Sequence, residues 1–154
     1  MSSETGDRDL VLERQFDAPR ARVYRAFTDP VEMAAWFGPV GYSVPLESID
    51  MDVRTGGHQR FTMGPDDDPA GGSAVNATFV EVIENELIVG EEVVEGIPGF
   101  PDGLVMHVRF EFHDAGDSGT RLVITQGPYT ADFEGMARAG WESSFTKLDA
   151  LLSV

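Results

Sequence analysis

The residues that could carry acid–base chemistry lie at alternate positions of one strand-like segment. His107, Arg109 and Glu111 occupy every second position, and apolar side chains fill the positions between them. Alternate residues of a strand point to opposite faces, so the three polar groups share one face. If that face met a cavity, they would orient a ligand or transfer protons in a cyclase- or hydrolase-like reaction. The larger apolar residues should take the interior, which favours solvent for the polar face.

Metal and nucleophile chemistry finds little support in the sequence. The three histidines, His58, His107 and His113, form no HExxH motif. His107 and His113 would lie about 20 Å apart on one strand, too far to share an ion. Ser118 lacks the GxSxG spacing of a serine nucleophile, and the chain has no cysteine. We therefore predict no metal, no cofactor and no catalytic residue.

Aromatic and methionine side chains form a larger group. Bulky rings and flexible thioethers line apolar ligand sites well, although ordinary core packing also uses them. We select six as predicted ligand-binding residues: Trp36, Phe61, Met106, Phe110, Trp141 and Phe145. Other members of the group are Phe37, Met63, Phe79, Phe100 and Met136.

The charge composition restricts the partners that the protein could bind. Against 27 Asp and Glu stand 11 Lys and Arg, which gives a formal net charge of −16. This charge opposes binding to nucleic acid or to an anionic membrane, because both carry the same sign. No run of 18 apolar residues and no signal-peptide pattern occurs, so we expect no membrane span and a cytoplasmic location.

The order of elements predicts the fold class. Strand-like segments cover residues 8–16, 42–52, 58–63, 74–83, 86–95, 104–113 and 120–126. Two short helices follow the first strand, one capped by Asp17 with Pro19 in its first turn and one capped by Asp29. A helix over 131–152 would be roughly 30 Å long and could cover a sheet. We predict an α+β fold, a curved antiparallel sheet of about seven strands wrapped on the long C-terminal helix.

Five short blocks in this order carry a family resemblance. The chain resembles the START-like helix-grip (SRPBCC) superfamily, in the branch of the activator of heat-shock-protein-90 ATPase homologue C-terminal domain. The blocks run from about residue 9 to 152 and comprise 16–19 with 23–30, 36–39, 50–57, 119–122, and 140–141. The resemblance implies a helix-grip fold, and we expect a single domain over 1–154 with residues 1–8 flexible. It also implies a ligand cavity between sheet and C-terminal helix.

The resemblance leaves several functions open, because one fold supports many. Members include lipid and hormone binders, polyketide cyclases, toxin-sequestering proteins and chaperone regulators. We expect binding or sequestration of a small hydrophobic or aromatic molecule rather than catalysis. One alternative is a cyclase- or hydrolase-like enzyme that uses polar cavity residues. The other is a protein-interaction module that binds a chaperone or a stress-response protein. Members often crystallise as dimers, so a homodimer is a further expectation.

Overall fold

The computed structural model describes residues 8–94 and 101–153. Within them the strands are β1 (Arg8–Phe16), β2 (Tyr42–Ser43), β3 (Asp50–Met51), β4 (His58–Pro65), β5 (Ser73–Ile83), β6 (Leu87–Val94), β7 (Leu104–Ala115) and β8 (Gly119–Tyr129). The helices are α1 (Arg20–Thr28), α2 (Pro30–Trp36) and α3 (Ala131–Leu152). Short 3-10 turns occupy Leu46–Ser48 and Pro69–Gly71.

The strands form one antiparallel sheet in the order β1-β8-β7-β6-β5-β4-β2, with β3 paired to β4. The sheet curls into a half-barrel, and helix α3 packs against its concave side together with α1 and α2. We call this concave side the inner face. The architecture confirms the predicted helix-grip fold, including the long C-terminal helix and the two short helices after the first strand.

Helix α3 begins and ends where the apolar spacing predicted. Thr130 precedes it, and its hydroxyl oxygen accepts a hydrogen bond from the backbone N–H of Phe133. Asp132 and Glu134 lie in the first turn, where negative charge interacts favourably with the helix dipole. Met136, a member of the aromatic and methionine group, is 65% exposed, and the neighbouring Ala137 takes the inward position instead.

The caps predicted for the two short helices, Asp17 and Asp29, have different outcomes. Asp29 caps α2 as predicted: its carboxylate accepts hydrogen bonds from the N–H groups of Val31 and Glu32. The prediction that Asp17 caps α1 is wrong. That helix starts at Arg20, with Pro19 in the N-cap position and no side-chain cap.

The predicted strand over 42–52 is also wrong as a continuous element. It is reduced to the two-residue strands β2 and β3, separated by the turn at Leu46–Ser48. Pro45 has no N–H to give to a sheet ladder. The Ser48 hydroxyl instead donates to the Pro45 carbonyl at 2.7 Å, which stabilises the turn.

The ends of the described segments bear on several expectations. Arg8, expected in a flexible tail, is the first residue of β1 and pairs with Tyr129. Residues 1–7 lie outside the described part of the chain, as do residue 95 of the strand predicted over 86–95, residues 96–99 and Phe100.

Candidate ligand cavity

A cavity of about 310 Å³ lies between the inner face of the sheet and helix α3. The strands contribute alternate residues to it, among them Phe61, Ala77, Gly90, Val108 and Gln126. Helix α3 contributes Ala137, Gly140, Trp141 and Ser144, whose spacing of three and four places them on one side of the helix. Its volume is that of a small-molecule site.

Four of the six predicted ligand-binding residues line this cavity: Phe61, Met106, Phe110 and Trp141. Phe61 and Phe110 are buried, and Met106 and Trp141 are half-buried. Trp36 and Phe145 are not among the lining residues, so placing them on the wall requires a correction.

Trp36 belongs to the packed core behind the cavity. Its side chain is fully buried, and its ring lies 4.9 Å from that of Phe27. The indole Nε1 donates to the backbone carbonyl of Ala26 at 2.8 Å. In a longer helix that carbonyl would accept from residue 30, but Pro30 has no N–H. Trp36 therefore supplies a missing helix-end donor, and this fixes its ring away from the cavity.

Phe145 lies one helical turn beyond Trp141 and deeper in the core. It is 1% exposed, and its ring meets that of Phe16 edge-on at 5.3 Å. The Arg14 guanidinium lies over the same two rings, 5.1 Å from the Phe16 centroid and 5.6 Å from that of Phe145. Trp141 lies between Phe145 and the cavity, with the two rings stacked at 6.0 Å.

Trp141 forms the centre of the aromatic wall. Its ring meets Phe37 at 5.6 Å and Phe110 at 5.7 Å, both close to perpendicular. Such edge-to-face pairs are favourable beyond the area they bury. The indole Nε1 donates to Oε1 of Gln126 at 2.8 Å, so the polar atom of the half-buried ring is satisfied.

The wall also holds residues outside the selected six. Phe37 contacts Trp36, Phe61 and Trp141 edge-on and joins the helices to the sheet. Polar members of the lining include Gln59, Glu92, Gln126, Tyr129 and Ser144. Strand alternation carried a signal for Glu92, because it shares a face with Ile88 and Gly90 and pairs with Met106. A carboxylate at an inward position contradicts the simple apolar-in pattern, so sequence reasoning missed it.

Glu92 places a carboxylate in the lining of the cavity, and its surroundings shift its pKa. Burial raises its pKa, and a hydrogen bond accepted from the Asn76 backbone N–H at 3.1 Å opposes that rise. Burial and the nearby Glu92 charge also raise the pKa of the Tyr129 phenol, to about 12. Both groups hold their protons more tightly than they would in water.

The cavity continues in two directions. A small space of about 40 Å³ shares Phe37, Gln59, Ala77, Gly90, Val108 and Phe110 with it and reaches Phe27, Phe79 and Ile88. A space of about 390 Å³ shares Met106, Glu92, Gln126, Tyr129 and Ala137 and reaches Phe133 and the exposed Met136. The inner end is therefore mostly apolar, with Gln59 in its lining, and Glu92, Gln126 and Tyr129 lie at the outer end.

The acid–base set lies elsewhere. His107 and Arg109 are exposed on the outer face of β7, while Met106, Val108 and Phe110 line the cavity. The Arg109 Nε donates to Glu111 at 3.0 Å, and Glu111 also lies 3.0 Å from Nε2 of His113. This placement agrees with the solvent-facing prediction and removes these residues from cavity chemistry.

Two further features are absent from the described residues. No group of three or more His, Cys, Asp or Glu side chains is placed to hold a metal ion in residues 8–94 and 101–153. Over the same residues, no helix is long and apolar enough to cross a membrane.

A curled antiparallel sheet, a long C-terminal helix across it and a cavity between them define a START-like helix-grip protein. The model of one family, activator of Hsp90 ATPase homolog 1-like protein, matches residues 17–153. The chain belongs to this family. No curated protein matches the chain.

Solved structures of similar proteins agree with this assignment. Protein CV1439 of Chromobacterium violaceum is 25% identical with a TM-score of 0.78, covering 95% of this chain and 97% of that one. Protein NE0264 of Nitrosomonas europaea is 24% identical with a TM-score of 0.77, covering 94% of each chain. The AHSA1 protein of Silicibacter pomeroyi is 24% identical with a TM-score of 0.74, covering 95% and 98%. These similarities extend over nearly the whole fold.

Proposed function

We propose that this protein binds and sequesters a small hydrophobic or aromatic molecule in the cavity under helix α3. The observation that carries the proposal is the aromatic wall around the 310 Å³ space, built from Phe37, Phe61, Phe110 and Trp141. Burial of apolar ligand surface contributes roughly 25 cal/mol per Å². Rings already packed against one another lose little freedom when a ligand binds.

The cyclase- or hydrolase-like alternative loses the residues first considered for it, since His107 and Arg109 are exposed on the outer face. The cavity gives no specific support to the alternative that the protein is a protein-interaction module. A cytoplasmic location, a homodimer and a part in stress response stay predictions.

Two glycines of helix α3 allow a matched test. Gly140 lines the cavity, and a Cβ built there meets no atom within 4 Å. Gly135 is exposed on the same helix and has equally open surroundings. Gly140→Leu should therefore fill the cavity, while Gly135→Leu makes the same chemical change outside it. Both replace a helical glycine with a better helix former, so neither should lower stability.

The probe is prodan (6-propionyl-2-dimethylaminonaphthalene), an uncharged aromatic fluorophore. We expect saturable 1:1 binding to the wild-type protein and to Gly135→Leu, and at least tenfold weaker binding to Gly140→Leu. Thermal melts of the three proteins test whether each is folded. Equal affinity for all three, or no binding of prodan by the wild-type protein, would argue against the cavity as a ligand site.

A further inference from the structure

The ionisable groups that line the cavity are all acidic. Glu91, Glu92 and Tyr129 belong to the lining, and within the described residues no Lys, Arg or His does. Glu91 is already engaged outside the cavity, because its Oε2 lies 3.4 Å from Nδ1 of the exposed His107. Glu92 is therefore the carboxylate directed toward the space under helix α3.

Glu92 lies where the cavity joins its outer extension. It is shared between the 310 Å³ and 390 Å³ spaces together with Met106, Gln126 and Tyr129. The inner end, around Phe79 and Phe110, extends from the first space alone. A ligand with its apolar body at that inner end would bring its other end toward Glu92.

The Glu92 carboxylate has no compensating positive charge among the described residues. Its pKa is raised by burial and lowered only by the hydrogen bond from Asn76, with no contribution from a cationic side chain. A half-buried carboxylate without a counter-charge is costly for the fold. A ligand that carries a positive charge to this position removes the cost and gains a charge-assisted hydrogen bond.

The aromatic wall and the charge of the whole protein favour the same sign. Trp141 lies between Gln126, its hydrogen-bond partner, and Phe110, so its ring borders the polar end of the cavity. Aromatic faces attract cations. The net charge of −16 raises the local concentration of cations and repels anions such as carboxylates.

We propose that the ligand is a hydrophobic amine, bound with its apolar body among Phe61, Phe110 and Trp141 and its ammonium against the carboxylate of Glu92. This inference rests on the proposed binding function and names its ligand class. It assigns Glu92 as the residue that determines specificity.

Three probes with the same eight-carbon chain test the inference: octylamine, 1-octanol and octanoate, each used to displace prodan below its micelle concentration. We expect octylamine to bind about tenfold more tightly than octanol, as a charge-assisted hydrogen bond provides, and octanoate to bind most weakly. Glu92→Gln should remove the preference for the amine over the alcohol, with each displacement referred to the affinity of that variant for prodan. The glutamine keeps an oxygen that can accept from Asn76, so the fold should be retained.

Glu81→Gln is the matched control. It removes the same charge from an exposed residue of β5 that is not among the cavity lining, so the preference for octylamine should survive. Equal affinity of octylamine and octanol for the wild-type protein, or tightest binding of octanoate, would overturn the amine inference. Retention of the preference in Glu92→Gln, or its equal loss in Glu81→Gln, would overturn the role of Glu92. Failure of prodan to bind at all would instead refute the proposed function.

Discussion

The indole nitrogen of Trp141 on helix α3 donates a hydrogen bond to Oε1 of Gln126 on strand β8, over 2.8 Å. The bond ties the helix to the sheet at the edge of the cavity, since both residues line it. It also fixes the plane of the ring against Phe37 and Phe110. One polar contact therefore contributes both to the stability of the fold and to the shape of the aromatic wall.

The first prediction concerns this hydrogen bond. Gln126→Met keeps the volume but leaves the half-buried indole N–H without its partner, so the free energy of unfolding should fall by about 1–2 kcal/mol. The same change in a Trp141→Phe protein should cost much less, because no indole N–H remains to satisfy. Urea unfolding of the four proteins of this double-mutant cycle measures the coupling. Additive effects of the two changes would show that the bond contributes nothing to stability.

The second prediction concerns Trp141 as part of the wall. Trp141→Ala removes a ring that contacts Phe37, Phe110 and Phe145, so stability should fall by about 2 kcal/mol for a half-buried aromatic side chain. Prodan affinity should fall by at least tenfold, since a ligand loses both buried area and an aromatic partner. Fluorescence titration at a temperature where the variant is fully folded separates the two effects. Unchanged affinity of the folded variant would remove Trp141 from the site.

The third prediction separates core from wall. Trp36→Phe deletes the donor to the Ala26 carbonyl and leaves space in the core, so the free energy of unfolding should fall by about 2 kcal/mol. The affinity of the folded variant for prodan should equal that of the wild-type protein, because Trp36 does not line the cavity. Titration at low temperature, beside a thermal melt, measures both quantities. A loss of affinity comparable to that of Trp141→Ala would place Trp36 in the site after all.

Trp36 and Trp141 show which features of the site the sequence predicts and which it does not. Helical spacing correctly placed Trp141 and Phe145 on the inward side of α3, and strand alternation correctly placed Met106 and Phe110. Which inward residue borders an empty space depends on the curvature of the sheet, which no local pattern encodes. Phe145 is one turn from Trp141, yet its ring packs against Phe16 of β1 and not against the cavity.

The polar residues of the cavity show a second limit. Glu92 and Gln126 occupy inward strand positions, where a hydrophobic pattern predicts apolar side chains. The register places each of them on the cavity wall: Glu92 lies opposite Met106, and Gln126 lies opposite Val108. Pairing between β6, β7 and β8 is a long-range property, so the sequence predicted the sheet more fully than it predicted the site.

The fourth prediction is a pH dependence. The pKa of Tyr129 is raised to about 12 in the folded protein, first by burial and second by the Glu92 charge. A raised folded-state pKa gives stability that is complete below the unfolded value near 10 and is lost as pH rises toward 12. Relative to Tyr129→Phe, the wild-type protein should therefore lose about 2 kcal/mol between pH 9 and pH 12. Urea unfolding across that range gives the difference, and parallel curves for the two proteins would contradict it.

The last prediction tests the inner end of the cavity. Gly90 lines both the main cavity and its small inner extension, and a Cβ there would lie 3.6 Å from the Thr78 carbonyl oxygen and from Cγ1 of Val108. These are ordinary contact distances, so Gly90→Ala should fold and gain about 0.5–1 kcal/mol from the lower flexibility of the unfolded chain. The added methyl group occupies ligand space, however. Prodan affinity should fall in Gly90→Ala and further in Gly90→Val, in the order of side-chain size. Equal affinity across the series would mean that the ligand body does not reach β6, and that the apolar inner end is only a packing defect of the core.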